Sequence, residues 1–470
     1  MEENVRSMGA NENPLGFEPV KKLLFRFAVP AVVAILVNSL YNVVDQIFIG
    51  QGIGYLGNAA TTVAFPITTI ALALSMLFGS GAAAYAAIKL GEGRNDIAEK
   101  VLNNSFVILV GVGIIVAVVG ILFLEPMLYL FGAADSFIEY AVDYTFIILI
   151  GMPFMVLGSG LSNLVRTDGN PNLSMISMLI GAALNTILDP IYIFVLHWGV
   201  KGAAIATITS QIISVVIIMN YFTKKSRMRI KKSLFKLDLG LVKTFTVLGI
   251  ASSTTQIGMT VLQVILNKSL LYYGDLSSVG GDVALSAMGI VLKVSGIIVS
   301  FSIGISIGIQ PIIGFNLGAK HPHRVRETYT FAVMLASVIA VLGWVMCVFF
   351  PEAPLSLFGT DDANFAEFSY RCMRIYLSAI FLSGFIIIST GYFQATGQAV
   401  KASVLSMMRS LLLLVPFILA LPLFFGLDGI LYAGPLAEII SFIIVLFFSV
   451  GEMRKLKAQI SEEKKAAGLY

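Results

Sequence analysis

The chain has 470 residues, of which 57% are hydrophobic and only 12% charged, with a formal net charge of +4 and a mean hydropathy of +0.89. Soluble domains carry roughly 25% charged residues, so this composition excludes a water-facing globular surface. The two cysteines, Cys347 and Cys372, form no metal or redox motif.

Residues 1–20 are polar, carry Glu2, Glu3, Glu12 and Glu18, and lack the basic stretch and short apolar core of a cleavable signal. They read as a cytoplasmic amino-terminal segment. Twelve apolar runs follow, near 23–49, 58–88, 98–122, 138–163, 172–195, 200–222, 242–270, 282–316, 326–350, 366–394, 400–423 and 430–452. Each is long enough to cross a hydrocarbon core of roughly 30 Å as a helix. Alternation over about ten residues, the mark of barrel strands, is missing. The predicted fold is an all-α integral membrane protein of twelve transmembrane helices, in two pseudo-symmetric six-helix lobes around a central cavity. Its expected divisions are an N-lobe over 21–222, a basic linker over 223–241, a C-lobe over 242–452 and a tail over 453–470.

Charge asymmetry orients the chain. Lys22, Lys89, Arg94, Lys100, Arg166, Lys320, Arg324 and Arg326 fall in loops on one side, together with the linker cluster Lys224, Lys225, Arg227, Arg229, Lys231, Lys232 and Lys236. Asp135, Asp275, Asp282, Glu352, Asp361, Asp362 and Asp428 fall on the other. The positive-inside rule puts both termini and the linker in the cytoplasm. The linker cluster reads as a topology determinant touching anionic headgroups, not a nucleic-acid site. His321-Pro322-His323 reads as a solvated turn.

Three anchors recur at a displacement of 227 residues. Leu90-Gly91 returns as Leu317-Gly318. Leu130-Phe131-Gly132 with Asp135 returns as Leu357-Phe358-Gly359 with Asp362, and Gly199 and Gly202 return as Gly426 and Gly429. The turn beginning Arg166-Thr167-Asp168-Gly169 resembles Gln394-Ala395-Thr396-Gly397, one residue further on. Two six-helix repeats insert with the same orientation and are related by an axis along the membrane normal.

Acids inside membrane spans are costly, and therefore informative. Asn38, Tyr41 and Asp45 form a polar stripe at helical spacing in the first run. Asn185 and Asp189 share one face of the fifth, and Thr207 lies in the sixth. At about 1.5 Å rise per residue, Asp45, Asn185, Asp189 and Thr207 fall roughly 8–16 Å below the outer surface. Four oxygen-bearing side chains at one depth suit a proton or a hard cation such as Na⁺. The ordinary alternatives are an interfacial Asp45 and a kink at Asp189-Pro190. Displacement by 227 puts Pro416 at Asp189 and Gly434 at Thr207, so the coupling site is expected in the N-lobe alone. Gln256, Thr260, Gln263 and Asn267 form a stripe without an acid in the seventh run. Asn38, Tyr41, Phe154, Met155, Met178, Gln256 and Met288 are candidates for a deformable substrate cavity. Lys268, Lys293, Arg409 and Glu438 are assigned structural roles.

The segment Ser39–Asp45, the pair within Asn185–Pro190 and the turn Arg166–Pro171 resemble the multidrug and toxic compound extrusion (MATE) family, in its bacterial multidrug efflux branch. The resemblance covers about residues 20 to 455. It implies a V-shaped pair of lobes that exports amphipathic organic cations in exchange for H⁺ or Na⁺ by alternating access, as a monomer in the bacterial plasma membrane, with no cofactor. The family's amino-terminal cation site carries over onto Asp45, Asn185, Asp189 and Thr207. Some relatives have an acid in the tenth helix, where this chain has only Glu367. The nearest alternative is a flippase for lipid-linked saccharides of the same superfamily, whose phosphates would favour basic clusters in the cavity. An intramembrane enzyme lacks a nucleophile–base pair or metal ligands here, and no channel pore-loop pattern is visible.

Overall fold

The structure, a computed structural model, describes residues 14–355 and 363–466. The anchor Leu357-Phe358-Gly359, the acids Asp361 and Asp362, and Glu2, Glu3 and Glu12 lie outside them. No strand occurs among the described residues.

The first half comprises α1 (Val20–Ile53), α2 (Tyr55–Gly91), α3 (Asn95–Leu122), the short α4 (Leu124–Leu130), α5 (Ile138–Thr167), α6 (Pro171–Pro190) and α7 (Gly199–Lys224). The second comprises α8 (Leu239–Asp275), α9 (Gly281–Gly318), α10 (Pro322–Phe349), the short α11 (Glu352–Leu355), α12 (Ala363–Tyr376), α13 (Ser383–Ala395), α14 (Ala399–Met407), α15 (Val415–Ala420), α16 (Pro422–Phe425) and α17 (Leu427–Ala466). Among the described residues, eleven helical stretches are long and apolar enough to cross a membrane, and α12 with α13, bent by 42°, makes a twelfth when the pair is counted as one span. No proline marks that bend. Trp344 Nε1 donates to the Ser378 carbonyl at 2.7 Å, and a side chain that captures a backbone acceptor in this way stabilises a break.

Local chemistry sets the ends. Asn170 caps α6 by accepting from the Leu173 N–H at 3.2 Å, with Pro171 at the first helical position, where a missing N–H costs nothing. Asp238 caps α8 through the Leu241 N–H at 3.1 Å. Past Pro190 the fifth span loosens into a π-helical turn, Ile191–Val195. The eleventh has one at Met408–Leu414, ahead of Pro416.

The backbone carries the duplication further than the side chains do. Four pairs of left-handed residues recur between the halves: Gly54 (φ 89°) with Gly280 (φ 86°), Gly93 (φ 75°) with Lys320 (φ 57°), Gly169 (φ 96°) with Gly397 (φ 77°), and Gly199 (φ 56°) with Gly426 (φ 58°). The spacings are 226, 227, 228 and 227 residues. Four connections of the two halves therefore turn through left-handed residues at matching places.

The halves are pinned together by crossed packing. The main partner of α1 is α9, and α8 packs along α2 as closely as α5 does. Glycine makes this possible. A Cβ on Gly249 would overlap the Leu77 carbonyl oxygen, and one on Gly81 would overlap that of Phe245. Gly91 and Gly318 meet Phe315 and Ile88 in the same reciprocal way. Beside these contacts, Gln394 Nε2 donates to Ser80 Oγ at 2.8 Å and Ser252 Oγ at 2.7 Å, and the two hydroxyls are 3.1 Å apart. The polar clasp joins α2, α8 and α13.

The linker is held as well. Asn103 accepts from the Lys231 N–H at 2.8 Å and donates to the Arg229 carbonyl at 2.9 Å, and Asn104 accepts from the Asp238 N–H at 2.8 Å. Glu99 pairs with Lys231 at 2.7 Å.

Close glycine contacts test the seam. Gly249→Ala is expected to lower the thermal unfolding midpoint of the purified chain by about 2–5 °C, because the added methyl meets backbone. Gly296→Ala adds a methyl with no atom within 4 Å and should leave the midpoint unchanged or slightly raised.

Candidate functional site

The polar stripe of α1 turns Asp45 inward, where it is buried beside α6 and α7. The Asn185 and Asp189 side chains, one helical turn apart on α6, are buried at the same place. Asn185 Nδ2 lies 3.3 Å from Asp189 Oδ1 and 3.2 Å from Thr207 Oγ1, donating to both. The Asp45 and Asp189 carboxyl groups are within hydrogen-bonding reach of each other, and Gln46 reaches Asp45. The structure thus brings all four sequence-predicted residues together from three helices.

Three acceptor oxygens of this group, Asp45 Oδ1, Asn185 Oδ1 and Asp189 Oδ2, are buried without a hydrogen-bond donor. Unmatched buried acceptors are costly, and three of them on adjoining side chains fit a shared proton or a small hard cation. Among the described residues no group of three or more His, Cys, Asp or Glu side chains is placed to hold a metal ion; the set here is two carboxylates with amide and hydroxyl oxygens.

The front of the group opens on a cavity of about 290 Å³ in the N-lobe, close to the lower bound for small-molecule pockets, roughly 300 Å³. Asn185 and Thr207 line it, as do the sequence candidates Asn38, Tyr41, Phe154, Met155 and Met178. Two candidates do not. Met288 is fully buried in the C-lobe core with Leu266, Val291 and Met373, because α9 turns that face toward its own lobe. Gln256, on α8, is half-buried and outside the cavity wall.

Two further parts of the site are not evident from sequence patterns. Tyr144, buried on α5, lies close enough to Asp45, Asp189 and Tyr41 to interact with them electrostatically. A lone tyrosine in an apolar run gives no warning of that. Arg166 reads from the sequence as a loop cation, yet it lines the cavity; its motif is visible in the sequence, its direction is not.

The C-lobe lacks an equivalent. At the displaced positions stand Leu412 for Asn185, Pro416 for Asp189 and Gly434 for Thr207. Arg409 and Glu438 pair at 2.8 Å, at positions matching Ala182 and Gln211, which line the N-lobe cavity. Lys268 and Glu367 are exposed.

At the turn after α5, Asp168 Oδ2 accepts from Tyr221 OH at 2.5 Å, Ser226 Oγ at 2.7 Å and the Arg227 N–H at 3.3 Å. Burial nevertheless holds its carboxyl above the ordinary carboxylate range.

A model of the MatE family matches residues 30–191 and 251–419, most of both halves. The chain belongs to that family of membrane transporters. Among curated relatives, the multidrug export protein MepA of Staphylococcus aureus (strain MRSA252) is 27% identical over 423 residues, covering 89% of this chain and 91% of MepA. Its counterpart in Staphylococcus haemolyticus is 26% identical over 433 residues, covering 91% and 92%. The structure of the MATE multidrug transporter DinF-BH in complex with R6G superposes with a TM-score of 0.83 at 32% identity, covering 91% of this chain and 94% of that one. An outward-facing MATE family transporter of the MOP superfamily has the same fold, with a TM-score of 0.88 at 21% identity and coverage of 96% and 100%.

Asp168 gives a pH test. Its folded-state affinity for a proton exceeds that of the unfolded chain, so its contribution to stability is present at low pH and is lost as pH rises from about pH 4 through the folded value. In thermal unfolding of the purified protein, Asp168→Asn should flatten that slope relative to the parent. An identical slope in the variant would assign the pH dependence to other groups.

Proposed function

We propose that this chain exports small amphipathic organic cations from the bacterial cytoplasm in exchange for H⁺ or Na⁺. Both termini and the basic linker lie on the cytoplasmic side in this reading, and the monomer is the working unit. The observation that carries it is the trio of unpaired buried oxygens on Asp45, Asn185 and Asp189, set behind the wall of an apolar cavity. MepA is a multidrug export protein and DinF-BH a multidrug transporter, which supports the choice of cargo.

Coupling follows from shared charge. An ion at Asp45 and Asp189 removes the negative potential that attracts a cationic drug into the cavity, and a bound drug disfavours the ion. Exchange then requires that the two ligands favour opposite conformations, since a ligand that binds both states equally shifts nothing. The polar stripe of α1 connects the ion site to the cavity directly. Tyr41 and Asn38 face the drug and Asp45 the ion, so movement of this one helix serves both. The fulcrum in this reading is the contact of α1 with α9, where a Cβ on Gly304 would overlap Val32 and one on Gly308 would meet the backbone of Ala28.

The test is ethidium accumulation in cells expressing the full chain. Asp45→Asn and Asp189→Asn should each lose export by about tenfold or more, as expected when a group acting in a buried charge cluster is removed. Export by both variants at the parental rate would show that the coupling site lies elsewhere. Everted vesicles with an imposed pH or Na⁺ gradient identify the ion, and turnover of lipid-linked saccharides without cation export would favour the flippase.

A further inference from the structure

The two acids of the ion site do not open on the drug cavity. Asn185 and Thr207 line that cavity, whereas Asp45 and Asp189 are not part of its wall. The Asn185 amide, bonded to both Asp189 and Thr207, stands between. In an exchange the ion has to arrive while the drug still fills the cavity, because its arrival is what releases the drug. That order needs an entrance other than the cavity.

A polar track leaves Asp45 on the side of α2. Gln46 reaches Asp45, and Gln46 Oε1 accepts from Thr61 Oγ1 of α2 at 3.2 Å. Thr61 is buried and also donates to the Asn58 carbonyl at 2.9 Å. Asn58 Oδ1 is buried without a hydrogen-bond donor, as Asp45 Oδ1 is at the other end of the track. Beyond Asn58 the two helices meet at Gly54, where a Cβ would find no atom within 4 Å. Asn58, Thr61, Gln46 and Asp45 are four, seven, eight and nine residues from Gly54, or about 6, 10, 12 and 14 Å along the helix axes. The polar groups thus descend from the helix junction to the acids in short steps.

The packing leaves room for this line. A Cβ on Gly50 of α1 would lie 2.7 Å from Asn58 Nδ2, so glycine there admits the Asn58 amide. The main partners of α1 are α9 and α6, which makes its contact with α2 the lighter one. A purely structural bond between α1 and α2 accounts for Gln46 and Thr61. It does not account for an orphaned acceptor on Asn58, which costs stability.

We infer that Gln46, Thr61 and Asn58 form the outer access route of the coupling ion, separate from the drug cavity. Their oxygens serve in turn as ligands for a small hard cation, or as acceptors for a hydrated proton, so no side chain gives up a proton of its own. This rests on the export reading above and adds where its ion enters.

The experiment follows ethidium leaving the purified full chain in detergent, by stopped-flow fluorescence after a chase with excess tetraphenylphosphonium. One series varies pH and the other Na⁺. An ion that enters only through the cavity must wait for ethidium to go, and the dissociation rate is then independent of both ions. A separate route lets the ion meet the loaded protein, so the rate should rise at least about tenfold with one of the two, and the responding series names the ion. In Thr61→Val and Asn58→Leu that rise should shrink to about twofold or less. Their equilibrium affinity for ethidium should still weaken with the ion, because Asp45 and Asp189 remain. Thr62→Val removes an exposed hydroxyl bonded to the same Asn58 carbonyl at 2.7 Å and should keep the full rise. Thr61→Val loses one hydroxyl only, so the test stands even if Asn58→Leu does not fold. A parental rate that ignores both ions, with an equilibrium affinity that responds to one, removes the route alone. An affinity that responds to neither removes the export reading with it. A rise that survives in Thr61→Val and Asn58→Leu, or an equilibrium response lost together with the rise, also overturns the route.

Discussion

Two carboxyl groups facing each other inside a lipid-surrounded helix bundle cannot both carry a charge without a cation or a proton between them. At about 4 Å, two like charges repel by roughly 4 kcal/mol even at an effective dielectric constant of 20. Asp45 and Asp189 are held in that arrangement by separate helices, so the position of α1 relative to α6 depends on what lies between them. Asn185 donates to Asp189 and Thr207 with the nitrogen of its amide, and its oxygen is buried without a partner. The other features of the candidate site lie around that constraint: a cavity in front, a stripe along α1 leading from one to the other, and the packing of α1 against α9.

Duplication supplied the frame on which this asymmetry was placed. Four pairs of left-handed residues repeat between the halves, and the reciprocal glycine contacts cross the seam in both directions. Leu412, Pro416 and Gly434 take the places of Asn185, Asp189 and Thr207. The Arg409–Glu438 pair occupies positions that are cavity wall in the N-lobe. An ion pair within the C-lobe neutralises itself, whereas the acid pair in the N-lobe has no basic side chain to neutralise it among the described residues.

Much of this arrangement is legible in the amino-acid sequence. Hydrophobic run length defines the spans, because the bilayer thickness fixes it, and helical spacing puts Asn185 and Asp189 on one face. Convergence of Asp45 with them follows from common depth, which suffices when few acids are buried. Direction is less legible. The periodicity of α9 is apolar all round, so nothing distinguishes a cavity-facing Met288 from a core one. Arg166 ends a span and reads as a topology charge until α6 is seen to pack against it. The bend at Ser378 depends on Trp344 from another helix, and the crossed packing of α1 and α8 depends on long-range glycine contacts that no local pattern reports.

The central claim is that drug and small cation compete through Asp45 and Asp189. The affinity of the purified full chain for ethidium, measured across pH and Na⁺ concentration, tests it most directly. Competition predicts that affinity weakens as pH falls or as Na⁺ rises, by about tenfold per pH unit where one proton is exchanged for one drug. Asp45→Asn should flatten that dependence. An ethidium affinity that ignores both pH and Na⁺ in the parent would contradict the account.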